Sequence, residues 1–317
     1  MTIINKKHIG IKAFAPASVA NVACGFDALG FALERPGDEV IVRLSDTPGL
    51  RITKITGTTK KLPLEVEKNT AGFAALKLLE YLGEAGRGVE MEIHKKMPFG
   101  SGLGSSAASA VAAVVAINAL IPQHPLTKRE LLPFAVLGEE IASGARHADN
   151  IAPCLLGGMT LVRDNDTLDI HRVTVPRGLF ATVIYPHIEV LTKEARAMLS
   201  PTVTLKQAIV QSANLGAFII GMHQGDFDLI GRSLKDVIIE PQRAKLIPHF
   251  YEIQEAALNA GVLGCSISGS GPSIFALSAN SFAAENAGTA MQAIFKKHKI
   301  VSELFISPIN LEGAIIF

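Results

Sequence analysis

The stretch Pro98-Phe99-Gly100-Ser101-Gly102-Leu103-Gly104-Ser105-Ser106 holds three alternating glycines, three serines and no charge. Before it, Val89-Glu90-Met91-Glu92-Ile93-His94 alternates apolar and polar, the period of a strand with one buried face. After it, Ala and Val run on from Ser106 for several turns without Gly or Pro, which suits a tightly packed helix. A strand, a glycine loop and a helix in that order present free backbone N–H groups at the positive end of a helix dipole. Such a place holds an anion, most often phosphate. A tight strand-to-helix turn with a small-residue packing face is the plainer reading, and the loop alone does not choose between them. The lysine of a Walker-type loop is absent, since Gly104 is followed by Ser105 and Ser106, and glycines at 100, 102 and 104 do not form the dinucleotide G-x-G-x-x-G pattern. A phosphate here must draw its positive charge from N–H groups, the helix dipole and a metal ion. Ser106 Oγ is a suitable hard ligand for Mg²⁺.

The elements that must position this loop can be read on either side of it. Residues 9–15 and 38–45 read as strands, with the Pro-Gly of ERPGDE as a turn between them. Residues 69–83 have helical apolar spacing and stop on Gly83, and 127–145 open with Thr127 and Glu130, a capping-box pattern, so a helix is expected there despite Pro133. Strand and helix patterns restart after a boundary near 157–163, which divides the chain into domains at 1–160 and 161–317. Strand-like segments at 264–278 and 313–317 close the chain. Strands and helices mix in both halves without regular βαβ alternation, which favours an α+β fold over a doubly wound sheet.

The totals exclude several classes of function. Of 317 residues, 48% are hydrophobic and 19% charged, so a large core is available and disorder is not expected. A net charge of +1 argues against a nucleic-acid surface, and the absence of Trp argues against base-stacking platforms. The three cysteines, Cys24, Cys154 and Cys265, are scattered without a CxxC pair, which speaks for a reducing compartment and against structural zinc. MTIINKKHIG lacks the apolar core of a signal peptide, and the longest apolar stretch, residues 107–121, falls short of the roughly 20 residues a membrane span needs. A cytoplasmic protein with no membrane and no nucleic-acid partner is expected.

Pro98–Ser109 resembles the second motif of the GHMP kinases, the galacto-, homoserine, mevalonate and phosphomevalonate kinases. APASVANVACGFDALGFAL (15–33) is similar to the first motif of the homoserine-kinase branch, and SISGSGPSIFAL (266–277) to the third motif of the whole family. SGARHADNIAPCLLGGMTL (143–161) and EPQR (240–243) are also similar to that branch. The matches run in order over nearly the whole chain, which is far more specific than one glycine loop. The resemblance implies a two-domain α+β fold, its first half like ribosomal S5 domain 2 and its second ferredoxin-like, with the site in the cleft between them.

The resemblance also assigns roles. Pro98, Gly100, Ser101, Gly102, Leu103, Gly104, Ser105 and Ser106 would cradle the phosphates of ATP, Gly269, Ser270 and Gly271 would close on the nucleotide, and Asn69 would meet its base. Mg²⁺ would sit on Ser106 and on a helix glutamate. Glu139 and Glu140 are adjacent candidates, and the family's spacing to His147 and Asn150 selects Glu139; by itself either reads as a solvated helix carboxylate, and Asn69 by itself as a helix N-cap. L-Homoserine is a small zwitterion with a primary hydroxyl, so its site needs an acidic group and arginines. By resemblance Asn21 and Asp27 would hold the ammonium, Arg196 and Arg243 the carboxylate, with Thr192 and His147 nearby. Where other GHMP kinases carry a Lys and an Asp that activate the hydroxyl, this chain has Ser18 and Asn150, an absence that homoserine kinases share. Asn150, beside the hydroxyl, cannot take a proton, so positioning must do most of the work. The implied reaction is transfer of the ATP γ-phosphate to L-homoserine, the step before threonine synthase in threonine biosynthesis, by a homodimer. A GHMP kinase for another small alcohol and a non-catalytic nucleotide-binding regulator stay open as other readings.

Overall fold

The computed structural model describes residues 10–123, 125–144 and 146–317. The first nine residues, with the start of the strand expected at 9–15, and Ala145 at the end of the helix expected at 127–145, lie outside them.

Seven strands make the first sheet: β1 (Ile11–Ala20), β2 (Leu29–Leu44), β3 (Leu50–Thr56), β4 (Val89–His94), β5 (Met159–Asp164), β6 (Asp169–Val173) and β11 (Ile315–Ile316). Their order is β11-β1-β2-β4-β3, with β5 and β6 extending from the other end of β2; only β3 and β4 run parallel. The Pro-Gly expected to turn the chain between two strands does not do so. Pro36 and Gly37 lie inside β2, which pairs with β1 on both sides of them, at Pro16↔Gly37 and again at Ser18↔Ala32. The surplus residues form a bulge that bends β2 without reversing it. The reversal comes earlier, in residues 21–28, where Asn21, Val22, Ala23 and Asp27 all take left-handed backbone. That run of left-handed residues belongs to the first motif, and a turn signal built on Pro and Gly does not see it.

Three helices cover the sheet: α1 (Thr70–Tyr81), α2 (Ser105–Leu120) and α3 (Lys128–Ser143), followed by the short α4 (Ile151–Leu156). α2 packs against α1, α3, β1 and β2, and its Ala-Val sequence is buried from Ala107 to Ile117 on every side, because small side chains let backbones approach on all faces. The capping box on Thr127 and Glu130 is formed, and α3 runs through Pro133 to a left-handed cap at Gly144.

The chain changes sheets between Val173 and Phe180, so a division at 160/161 passes through β5. The second sheet holds β7 (Phe180–Pro186), β8 (Gly264–Ile267), β9 (Ile274–Ser278) and β10 (Ser302–Pro308) in the order β10-β7-β9-β8, all antiparallel. Helices α5 (Thr192–Ala197), α6 (Leu205–Gln224), α7 (Phe227–Ser233), α8 (Glu240–Arg243) and α9 (Phe250–Asn259) lie between β7 and β8, and α10 (Ser281–Lys297) between β9 and β10. This is the ferredoxin-like β-α-β-β-α-β succession with extra helices in its first crossover. Among the described residues no helix is long and apolar enough to cross a membrane.

One buried ion pair fixes where α2 begins. Asp38 in β2 is 0% exposed and Lys95, just after β4, is 6% exposed, and the two are paired directly. The Asp38 carboxylate also accepts from Ser105 Oγ at 3.1 Å, Ser109 Oγ at 2.9 Å and the Lys96 N–H at 2.9 Å, while Lys95 Nζ donates to the Ser105 carbonyl at 2.8 Å. Breaking a buried pair from one side leaves a charge uncompensated, at a cost of about 3–5 kcal/mol. Lys95→Met is expected near the low end, because three donors still serve Asp38, and Asp38→Asn together with Lys95→Met is expected to recover part of the loss. Urea denaturation of wild type, single and double variants measures both.

Candidate active site

Three loops meet at the start of α2. In the glycine loop Gly100, Gly102 and Gly104 all have left-handed backbone, at φ 66°, 76° and 68°. At Gly102 a Cβ would come within 2.5 Å of the Ser268 carbonyl and 2.8 Å of the Gly271 carbonyl, so glycine is required by contact as well as by conformation. The turn between β8 and β9 is bonded to this loop: Ser268 Oγ donates to the Gly102 carbonyl at 2.7 Å, and the Ser273 N–H to the Ser101 carbonyl at 3.2 Å. It is bonded equally to the end of β1, where the Gly269 N–H donates to the Ala20 carbonyl at 3.1 Å and Asn21 Nδ2 donates to the Gly269 carbonyl at 2.7 Å. Thr192 Oγ1 and Ser270 Oγ lie 3.2 Å apart, which ties the start of α5 to the same turn.

The residues expected to hold a metal come together. The Ser106 hydroxyl hydrogen-bonds to the Glu139 carboxyl, whose Oε2 is buried, and burial pushes that carboxyl up to about 7 against the opposing pull of Lys95. Ser105 differs from expectation. Its hydroxyl is spent on Asp38, so toward the loop it offers only its backbone. Asn69 caps α1, its Oδ1 accepting from Ala71 and Gly72 at 3.0 and 3.2 Å while Nδ2 donates to the Pro63 carbonyl at 2.9 Å. The two positions where a Lys-Asp pair was missing face each other, Ser18 Oγ donating to Asn150 Oδ1 at 2.8 Å. A Cβ on Gly104 would strike both, at 2.3 and 2.8 Å, so this neutral pair sits directly against the glycine loop.

The charged residues form a second cluster beside the first. Arg196 grips Asp27 with both arms of its fork, Nη1 to Oδ2 at 2.9 Å and Nη2 to Oδ1 at 2.7 Å. Arg243 is 3% exposed, donating from Nε to the Ala195 carbonyl at 3.1 Å and from Nη1 to the Gly269 carbonyl at 3.2 Å; burial and the nearby Arg196 lower its pKa. Asp236 places it by accepting from the Ile238, Ile239 and Glu240 N–H groups at 2.9, 2.8 and 2.8 Å, which fixes the start of α8. Both guanidinium carbons face the Phe26 ring, at 5.4 Å for Arg196 and 5.0 Å for Arg243. Asn21 is engaged on both sides, with Oδ1 accepting from the Asp27 N–H at 3.0 Å. His147 Nδ1 is buried 3.9 Å from Asp27 Oδ2 and has no hydrogen-bond partner among the described residues; burial lowers the imidazole's pKa, with Asp27 opposing.

Residues 69–158 match the GHMP kinases N terminal domain and residues 205–297 the GHMP kinases C terminal domain. A homoserine kinase of Chlorobium phaeobacteroides (strain BS1) is 48% identical over 316 residues, covering 96% of this chain and 98% of that relative. One of Chlorobaculum tepidum is 47% identical over 317 residues, with coverage of 96% and 97%. The chain belongs to the homoserine kinase family of GHMP kinases. The crystal structure of homoserine kinase from Cytophaga hutchinsonii ATCC 33406 superposes on this GHMP kinase with a TM-score of 0.95, at 51% identity, over 100% of this chain and 99% of that one.

Sequence reasoning missed four residues in or beside this constellation: Phe26, Asp38, Lys95 and Asp149. Phe26 sits inside the first motif, and only the fold brings both arginines onto its ring. The Asp38–Lys95 pair joins residues 57 positions apart. Asp149, between the two residues singled out at 147 and 150, is 5% exposed, and burial together with the nearby Asp27 charge pushes its carboxyl up to about 7. The cysteines, by contrast, are all buried and free, and burial raises the Cys24 thiol to about 12, which leaves it no nucleophilic character near neutrality.

Asp149 generates a pH prediction. Its folded-state value stands above the ordinary 3.8, so the folded chain keeps a proton that the unfolded chain releases. The stability this contributes is complete below the unfolded value and is lost as pH rises to about 7. Asp149→Asn cannot ionise. Its Tm relative to wild type should climb between about pH 5 and about pH 8, measured by thermal unfolding in the two buffers; an unchanged difference would mean that Asp149 is ionised in the fold throughout.

Proposed function

We propose that this chain is an ATP-dependent homoserine kinase that converts L-homoserine to O-phospho-L-homoserine. The observation that carries the reading is the paired set Asp27–Arg196, with Arg243 behind it, placed beside a lysine-free phosphate loop. A small zwitterion has little apolar area, so charge-assisted hydrogen bonds must supply its recognition. Asp27 would take the ammonium, and Arg196 and Arg243 the carboxylate. Asp27 and Arg196 are bonded to each other in the free protein, so a zwitterion exchanges one internal ion pair for two to itself. Asn21 then acts as a brace for Asp27, with both polar ends of its amide on backbone groups of residues 27 and 269. Mevalonate and sugars present no ammonium and would leave Asp27 uncompensated.

The phosphates would lie on the backbone N–H groups of the glycine loop and the first turn of α2, with Gly269, Ser270 and Gly271 closing over them. Ser106 and Glu139 fit Mg²⁺: they are hard oxygen donors already in contact, and burial of the carboxyl leaves a site that a cation relieves. Held by Ser106 and Glu139, Mg²⁺ would supply positive charge to the transferring phosphoryl group. Ser18 and Asn150 stand where relatives place a Lys and an Asp, and as a neutral pair they orient without accepting a proton. Rate enhancement then rests on alignment of hydroxyl and phosphorus in a loose transition state. The same reading carries a cytoplasmic enzyme that works as a homodimer.

A coupled ADP-release assay over L-homoserine, 4-hydroxybutanoate, 3-aminopropan-1-ol and mevalonate tests the proposal. Each missing charge removes bonds worth about 1.5–3 kcal/mol, so each analogue should fall about 10- to 100-fold or more below homoserine in kcat/KM. Arg243→Ala should lose a similar factor for homoserine with little change in KM for ATP. Equal turnover of 3-aminopropan-1-ol would remove the carboxylate grip, and preferential turnover of mevalonate would reassign the substrate.

A further inference from the structure

A second constellation stands in the second domain, on residues that have no part in the site described above. His249 caps the N-terminus of α9 with left-handed backbone at φ 61°, Glu252 lies in that helix's first turn, and His298 caps the C-terminus of α10. Glu252 Oε2 is 2.8 Å from His298 Nε2 and 3.6 Å from His249 Nδ1. One ligand atom from each of the three residues falls within 4.8 Å of the others. The two imidazole rings are stacked, with centroids 3.4 Å apart and planes 10° from parallel. Lys297 Nζ holds the other carboxylate oxygen, Oε1, at 2.6 Å, which leaves Oε2 turned to the histidines. The side chains are 36%, 34% and 27% exposed, so the cluster is open to ions from solvent.

The donor set selects the ion. Two imidazole nitrogens and one carboxylate oxygen suit zinc and its neighbours, whereas Mg²⁺ and Ca²⁺ demand oxygen. Metal–ligand bonds of about 2.0–2.2 Å in a tetrahedron set neighbouring ligand atoms roughly 3.3–3.5 Å apart. The Glu252 separations of 2.8 and 3.6 Å bracket that spacing, but an imidazole binds metal in its own ring plane, so one of the two stacked rings must turn about its Cβ–Cγ bond before both reach one ion. Three protein ligands leave the fourth position to water.

We propose that His249, Glu252 and His298 form a binding site for a zinc-class divalent cation, separate from the Ser106–Glu139 site. The ion links the start of α9 to the end of α10 and so crosses between two helices that the chain joins only through β8 and β9. The site is stabilising; none of its residues belongs to the machinery of phosphoryl transfer.

The test is a Zn²⁺ titration of the full chain by calorimetry, with millimolar Mg²⁺ present to occupy oxygen-ligand sites. Wild type should bind one equivalent that His249→Ala/His298→Ala lacks, with affinity lowered at least about 100-fold. Zn²⁺ at a hundredfold excess over its Kd should raise the wild-type Tm by about 5 °C and leave the double variant unmoved. Homoserine-dependent ADP release measured without Zn²⁺ should be the same in both, which shows that the variant is folded. The isosteric Glu252→Gln repeats the comparison with both histidines in place, and Co²⁺ should give visible ligand-field absorption in wild type alone. Equal Zn²⁺ affinity and stoichiometry in wild type and double variant, or no equivalent bound by wild type below millimolar concentration, would overturn the proposal.

Discussion

The turn between β8 and β9 is hydrogen-bonded to both other motif loops, and the rest of the site is arranged around that contact. Gly269 receives Asn21 on its carbonyl and gives its N–H to Ala20, while Ser268 and Ser273 hold the carbonyls of Gly102 and Ser101. Segments separated by more than 160 positions are thereby fixed at hydrogen-bond distance. The contact is possible only because Gly102 carries no side chain: a methyl there would occupy the space of two carbonyl oxygens. Asp27, Arg196 and Arg243 inherit their places from it, since Asn21 orients the Asp27 backbone and Arg243 donates to the same Gly269 carbonyl.

Charge is distributed around this junction in an orderly way. Asp38 and Lys95 cancel inside the first domain and hold the start of α2, where the glycine loop ends. The Glu139 and Asp149 carboxyls are buried where ionisation is disfavoured, and a cation or a proton would relieve each. Asp27 and Arg196 satisfy each other through two hydrogen bonds. On the proposed reading, an alcohol lacking one of the charges would leave half of that pair in a poorer environment, so the pair would select zwitterions.

Much of this was legible in the sequence because its physics is local. The glycine loop at 100–104, the capping box on Thr127 and Glu130, and the Ala-Val run of α2 each follow from neighbours within a few residues. Ser106 with Glu139 and Asp27 with Arg196 were reached through the motifs, although the direct bond between Asp27 and Arg196 was not foreseen. What stayed hidden was set by tertiary contact. Pro36-Gly37 reads as a turn locally, but pairing with β1 on both sides keeps it within β2. Phe26 acquires its role only when α5 and α8 bring two guanidinium groups to its ring. Asp149 shows no local sign of its burial.

The most direct measurement compares the affinities of L-homoserine and 4-hydroxybutanoate for wild type and for Asp27→Asn, by calorimetry. Asn tolerates the left-handed backbone at position 27, where φ is 55°, so the substitution removes charge and keeps shape. In the variant Arg196 is no longer held by a carboxylate. 4-Hydroxybutanoate, which carries only the carboxylate, should bind more tightly than it does to wild type, while homoserine should bind about 10- to 100-fold more weakly. Opposite shifts for the two ligands are what an exchanged ion pair requires. If both affinities fall together, or neither changes, Asp27 and Arg196 do not trade their mutual bond for the substrate.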